Sequence, residues 1–458
     1  MGGTMHTEAS QGLRDFTGAV YGADSADSAA GEHAVPAPAG ISPRIIVAGA
    51  VGSIVEYFDF GVYGYVAVLL ASQFFSPGDA TSALLNTLAA FAIAFVMRPI
   101  GGLVFSHFGD RFGRKNALAA TVLLMSAASG LIGILPTYAA IGVAASALLV
   151  LARCMQGIAA GGELGGAIAF VAEHSPANRR GLFCSTTQTG ALAGVLLASI
   201  LVATLNQVLS KEAMASWGWR VPFIAAIPIG LFGLWIRSRL TEAKAFKTIA
   251  DSHEVESAPV VELFHSYRKP LLQSIGLSIL LFAMYYVAYV YVTIHLQRVV
   301  HVDPHWVFWG TTLTLAVSVI CMPMFGLLSD LIGRKAVFIG SSVAAALVSV
   351  PCFMLMNQGG VTALVMQGVL GLIESALMGV AFSTMAEMFP TRVRYTGIAL
   401  GFNIGAVVAG GSAPYICTWL VAATGSPIAP AWFLVGTAMI TLLTTFTMKE
   451  TAGTALRS

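Results

Sequence analysis

Six ionisable side chains stand inside runs that are otherwise apolar: Glu56, Asp59, Arg98, Arg153, Glu163 and Glu374. Charges in such surroundings are costly and mark functional positions by default. Glu56 and Asp59 are three residues apart and share a face if the run is helical. Asp59 stands about 22 Å along a helix from Arg44, and Arg98 about 18 Å before Asp110. Both depths are close to the middle of a bilayer. Arg153 precedes Glu173 by about 30 Å of helix. A carboxylate buried beside an arginine stays charged, and one without such a neighbour takes up a proton. Moving a carboxylate between those two situations is the chemistry of proton coupling. Asp59, Glu56 and Glu163 are the candidates for the coupling acid. A static ion pair that fixes helix packing is the structural alternative. The forks of Arg98 and Arg153 match the two oxygens of a carboxylate, so an organic anion is the first expectation for a ligand and a zwitterion the second.

The elements that must position these groups follow from composition. The chain has 458 residues, 57% hydrophobic and 10% charged, with 48 glycines. A soluble domain carries roughly 25% charged residues. A soluble enzyme, a nucleic-acid binder and a disordered scaffold are therefore excluded. The apolar residues form about twelve runs long enough to cross a bilayer. The fold expected is an all-α integral membrane protein of twelve transmembrane helices in two six-helix halves. Residues 1–43 read as a polar cytoplasmic tail, 44–240 as the first half, 241–269 as a charged cytoplasmic linker, 270–448 as the second half and 449–458 as a second tail. With the N-terminus inside, nineteen of the 24 lysines and arginines fall in cytoplasmic segments. That bias puts both ends in the cytoplasm, and the inner (plasma) membrane is the expected location.

The halves repeat. Gly109-Asp-Arg-Phe-Gly-Arg-Lys115 returns as Ser329-Asp-Leu-Ile-Gly-Arg-Lys335, 220 residues on. Glu173-x-x-Pro176-x-x-x-Arg180 returns as Glu387-x-x-Pro390-x-x-x-Arg394, 214 residues on. Duplicated halves around a midplane site are a transporter's architecture, since one half can rock against the other. With these loops the sequence resembles the major facilitator superfamily. Within it, six segments are similar to the metabolite:proton symporters, which carry dicarboxylates, citrate, shikimate, proline or betaine. They are Glu56-Tyr-Phe-Asp-Phe60, Met97-Arg-Pro-Ile-Gly-Gly102, Arg153-Cys-Met-Gln-Gly157, Gly161-Gly-Glu-Leu-Gly-Gly-Ala167, Gly218-Trp-Arg-Val-Pro-Phe223 and Phe389-Pro-Thr-Arg-Val-Arg394. The resemblance implies a secondary transporter that imports a small organic acid with protons, or a zwitterion such as proline or betaine. A non-transporting sensor on the same fold is the reading from another class. It also implies that Asp59 couples to Arg153, and that Asp110, Arg111, Arg114, Glu173, Arg180, Asp330, Arg334, Glu387 and Arg394 latch a cytoplasmic gate. One departure stands in the first loop, where Ser106 replaces the glycine that the second copy keeps as Gly326.

The second half does not repeat the buried charges: Gln367 stands where Arg153 would map and Ser318 where Arg98 would. A more neutral wall is expected there, with Tyr285, Tyr286 and Tyr289 facing substrate or packing against neighbours. Gln156, Gln188 and Asn403 are mid-span amides able to bond substrate or a helix. The glycines from Gly157 to Gly166 follow no strand and have the spacing of close helix packing, so no nucleotide is expected. His295, His301, His305 and Asp303 cluster near the outer end of the seventh span and read as solvated, with a metal or pH-sensing site as the alternative; no metal and no cofactor other than the proton is expected. Expected partners are the lipid bilayer and one small molecule, with no nucleic acid and a functional monomer.

Overall fold

In a bilayer every backbone polar group must be satisfied within the chain, which favours helices throughout. A computed structural model describes residues 43–76, 78–112, 114–161, 166–240 and 259–456. Among them, ten helices are long and apolar enough to cross a membrane. A bent pair and the shorter apolar helix Ala119–Ile134 complete the twelve spans expected.

The first span is Pro43–Tyr65 continued by Ala67–Phe74, with a bend of 65° between them beside Gly64. The second is Ala80–Phe112 and the third Arg114–Ile134. The fourth comprises Val143–Gly161 and Gly166–His174, the fifth Arg180–Val208 and the sixth Val221–Leu240. The seventh runs as Arg268–Tyr286, a π turn at Val287–Tyr291, and Val292–Arg298. The eighth, ninth and tenth are Pro304–Ile332, Arg334–Met356 and Gly360–Met388. The eleventh is Thr391–Gly405, a second π turn at Ala406–Gly411, and Ser412–Thr424; the twelfth is Ala429–Thr447.

Lipid is as apolar as leucine, so close packing rather than water exclusion holds such helices together. The second and fourth spans touch backbone to backbone. A Cβ on Gly157 would strike the Ala94 carbonyl, and one on Gly161 the carbonyl of Arg98. That contact carries Arg98 and Arg153 to the same place. The fifth and eighth spans meet the same way, Gly326 against the carbonyl of Gly181. Leu103, Leu331 and Val361 point outward, 75–77% exposed, as lipid-facing residues should.

Two segments carry structure that their composition does not announce. The end of the charged linker is a helix, Pro259–Ser266, fixed to the eleventh span by a 2.9 Å ion pair between Glu262 and Arg392. The residues after the twelfth span are no free tail. The Glu450 carboxylate accepts the backbone N–H groups of Arg334 at 2.9 Å and Lys335 at 3.0 Å, capping the ninth span. Lys335 Nζ donates to the Met448 carbonyl at 2.7 Å. An exposed N-terminus of a helix is an electrostatic site for an acid, and Glu450 fills it.

Candidate functional site

The first span supplies both acids, but to different partners. Glu56 pairs with Arg98 of the second span at 2.9 Å. Asp59, one turn on, has no ion pair with Arg153 among the described residues. Gln156 stands between them. Arg153 Nη1 donates to its Oε1 at 2.6 Å, and its Nε2 donates to Asp59 Oδ2 at 3.0 Å and to Ser129 Oγ at 2.7 Å. Ser129, from the third span, also bonds Asp59 Oδ2. The arginine–aspartate couple implied by resemblance is therefore a relay through an amide. Gln156 follows Arg153 by three residues, so one helical turn aligns the two.

Aromatic rings enclose both guanidinium groups. Arg98 lies 4.7 Å from the Phe60 ring centre and 4.6 Å from Phe95. Arg153 lies 4.2 Å from Tyr63, 5.1 Å from Phe60 and 5.2 Å from Phe91. Such contacts hold a cation in a dry place without neutralising it. Tyr286 of the seventh span closes the box from the other half, its ring 5.6 Å from Phe91 and 5.2 Å from Phe95. Tyr285 contacts Tyr57 at 6.0 Å, Tyr286 at 5.0 Å and Tyr289 at 5.3 Å. Tyr289 donates to the Gly371 carbonyl of the tenth span at 3.2 Å. The hydroxyls of Tyr285 and Tyr286 are buried without a hydrogen-bond partner among the described residues. So is the whole carboxylate of Glu374.

The second constellation gathers at the end of the bundle that carries the repeated loops. Glu387 of the tenth span receives Arg180 of the fifth at 3.0 Å and Arg334 of the ninth at 3.0 Å. Glu173 pairs with Arg394 at 2.5 Å. Asp330 accepts the N–H groups of Gly181 at 2.8 Å and Leu182 at 2.9 Å, capping the fifth span, and pairs with Arg334 at 2.8 Å. The repeat is geometric as well as textual. Arg180 Nε donates to the carbonyl of Ala172 and Arg394 Nε to that of Ala386, eight residues back in each case. The chain after the twelfth span joins this lattice: Thr451 donates to Glu387 at 2.6 Å, and Arg180 donates to the Thr454 carbonyl at 3.2 Å.

The sequence matches the profile of the sugar (and other) transporter family over residues 45–257 and 235–458. The chain belongs to that family, within the major facilitator superfamily. The glycine betaine/proline/ectoine/pipecolic acid transporter OusA of Dickeya dadantii is 38% identical over 428 residues, covering 90% of this chain and 84% of that protein. The proline/betaine transporter of Escherichia coli K12 is 37% identical over 429 residues, covering 90% and 85%. Among solved structures, a D-xylose–proton symporter superposes with a TM-score of 0.69 at 18% identity, covering 90% of this chain and 99% of that one. At that identity the likeness concerns the fold.

This major facilitator transporter brings together most residues singled out in its sequence. Glu56, Asp59, Arg98, Arg153, Gln156, Tyr285, Tyr286 and Tyr289 form one connected cluster. Gln188 is buried on the fifth span, and Asn403 is half-buried, its side-chain oxygen without a hydrogen-bond partner among the described residues. No described contact ties either to the cluster. Glu163 and the N-terminal tail lie outside the described residues, as do the side chains of Ser106, Asp110, Arg111 and Arg114. His295 departs from the solvated cluster expected. It is buried, its Nε2 2.8 Å from Asn357 Oδ1 and its Nδ1 3.3 Å from the Tyr291 hydroxyl. Asp303 instead caps the eighth span, and the His305 amide holds its carboxyl below the usual range. Sequence reasoning missed Phe60, Tyr63, Phe91, Phe95 and Ser129. The spacing of Glu56 to Phe60, Asp59 to Tyr63 and Phe91 to Phe95, each one turn, was the available signal.

Proposed function

We propose that the protein imports a small zwitterion of the proline or betaine class together with protons, by alternating access. The similar proline/betaine transporters favour this over the organic-acid expectation. The observation that carries it is the unequal state of the two arginines. Arg98 is already neutralised by Glu56, whereas Arg153 is held by an amide and a long 3.4 Å bond to the Phe91 carbonyl. One guanidinium without an acid partner among the described residues suits a ligand with one carboxylate, and a dicarboxylate or citrate would leave a charge unmatched.

Coupling then runs through Gln156. A substrate carboxylate that takes Arg153 releases the Gln156 oxygen, the amide turns, and Asp59 loses a donor. Asp59 gains or gives up its proton as that bond breaks or forms. The repeated loops face the cytoplasm on this reading, in keeping with the lysine and arginine bias. The lattice around Glu387 and Asp330 is the inner gate in its closed state, and its opening releases substrate and proton inward.

The test is substrate-induced proton movement in proteoliposomes, with betaine, proline, dicarboxylates, citrate and shikimate as the panel. Inward proton flux with betaine or proline is expected. Flux only with a di- or tricarboxylate would return the assignment to organic anions, and uptake of betaine without proton movement would remove the coupling.

A further inference from the structure

Glu374 is unused by the coupling relay and unlike every other buried acid described. It lies on the tenth span, fully buried. Thirteen residues further along that helix, the equally buried Glu387 holds two arginines and a threonine hydroxyl. Neither oxygen of Glu374 has a hydrogen-bond partner among the described residues. A carboxylate at membrane depth requires a counter-charge or a donor. The described residues supply neither, so Glu374 is either protonated or matched by something that enters.

The surroundings say what would fit. Glu374 is within electrostatic reach of the hydroxyls of Tyr57 on the first span and Tyr289 on the seventh. Tyr289 is anchored to Gly371, one turn before Glu374, and its ring meets that of Tyr285, which meets Tyr57. Aromatic faces beside a carboxylate form a pocket for an organic ammonium, because ring quadrupole and charge act in the same direction. We infer that Glu374, with Tyr57, Tyr285 and Tyr289, is the subsite for the cationic group of the substrate. This rests on the zwitterion reading and extends it. The carboxylate pole of the substrate goes to Arg153 in the first half and the ammonium pole to Glu374 in the second. A ligand with both poles draws the halves together, and an anion alone does not.

The test compares glycine betaine with its carbon isostere 3,3-dimethylbutanoate, which keeps the carboxylate and shape but lacks the positive charge. Both are titrated against purified wild type and Glu374→Gln, and the ratio of the two affinities is read. Wild type is expected to favour betaine, and Glu374→Gln to lower that preference by about tenfold while still binding the isostere. Retained isostere binding also reports an intact site. An unchanged ratio overturns the inference, as does an equal loss of both ligands, which would make Glu374 structural. A normal ratio with altered proton stoichiometry overturns it in favour of a proton carrier. Should Glu374→Gln not fold, Tyr57→Leu carries the same comparison: a ratio lowered by about tenfold supports the shared subsite, and an unchanged one overturns it. Wild type that binds no zwitterion overturns the transport reading and this one together, whereas a betaine preference that survives Glu374→Gln overturns this one alone.

Discussion

Gln156 is the residue on which the charge arrangement of the first half turns. It is completely buried and bonds Arg153, Ser129 and Asp59 at once. Gln156→Leu removes the short bond to a buried guanidinium, a loss of about 3 kcal/mol. A lower melting temperature and loss of uphill uptake are expected; wild-type accumulation would show that Asp59 and Arg153 communicate by another route. Asp59→Asn keeps an acceptor for Gln156 but cannot carry a proton. It should abolish proton-driven accumulation while counterflow exchange survives, and unchanged uphill uptake would remove Asp59 from coupling. Glu450 offers a pH test outside the membrane. Burial raises its carboxyl, but the amides of Ala452, Arg334, Lys335 and Thr451 outweigh this and hold it below its ordinary 4.5. A depressed acid stabilises the fold above its ordinary value and loses that contribution as pH falls through its folded value. Glu450→Gln should therefore destabilise the protein near neutrality and make no difference in strong acid, as thermal melts across pH would report.

Among the elements, the fifth span is the most exposed to control from the opposite half, because its first amides are capped by Asp330. Asp330→Asn weakens a charged cap and a pairing with Arg334, about 1–2 kcal/mol of bias toward the closed gate. A cysteine at Thr187, in a background without the five native ones, should then label about tenfold faster from the repeated-loop side. An unchanged rate would count against a latch. The packing of the second and fourth spans is less forgiving: Gly157→Leu drives a side chain into the Ala94 carbonyl, and loss of folded protein is expected. This much of the architecture was legible, since charge bias, duplicated loops and glycine spacing are written in local sequence. The aromatic box was not, because Phe60, Phe91 and Phe95 in an apolar run differ in nothing from lipid-facing rings until the helices are placed. The segment after the twelfth span escaped for a related reason. Its polar composition reads as tail, and only the return of Glu450 to Arg334, 116 residues away in sequence, gives it a place.

For the whole molecule, the two ends are fastened unequally. The repeated-loop end is held by buried ion pairs, hydrogen-bonded on several sides. At the opposite end, the Lys211–Asp303 contact is 3.4 Å long and joins side chains 81% and 50% exposed. Exposed pairs of that kind contribute little. Lys211→Ala should leave stability and transport close to wild type, which uptake kinetics would show, and a large defect would mean that this end carries more of the balance than its exposure suggests. The π turn at Val287–Tyr291 has a genetic consequence. It holds one residue more than regular winding needs. Loss of a single codon, such as that of Ala288, would leave the seventh span continuous and Tyr285 in place. Thr293 to Leu296 would keep their facing, because four residues of regular helix turn through nearly the same angle as the five of the π turn, and His295 would stay against Asn357. An in-frame deletion of one residue is therefore expected to be better tolerated here than in the regular helix on either side, where it would rotate everything beyond it by about 100°.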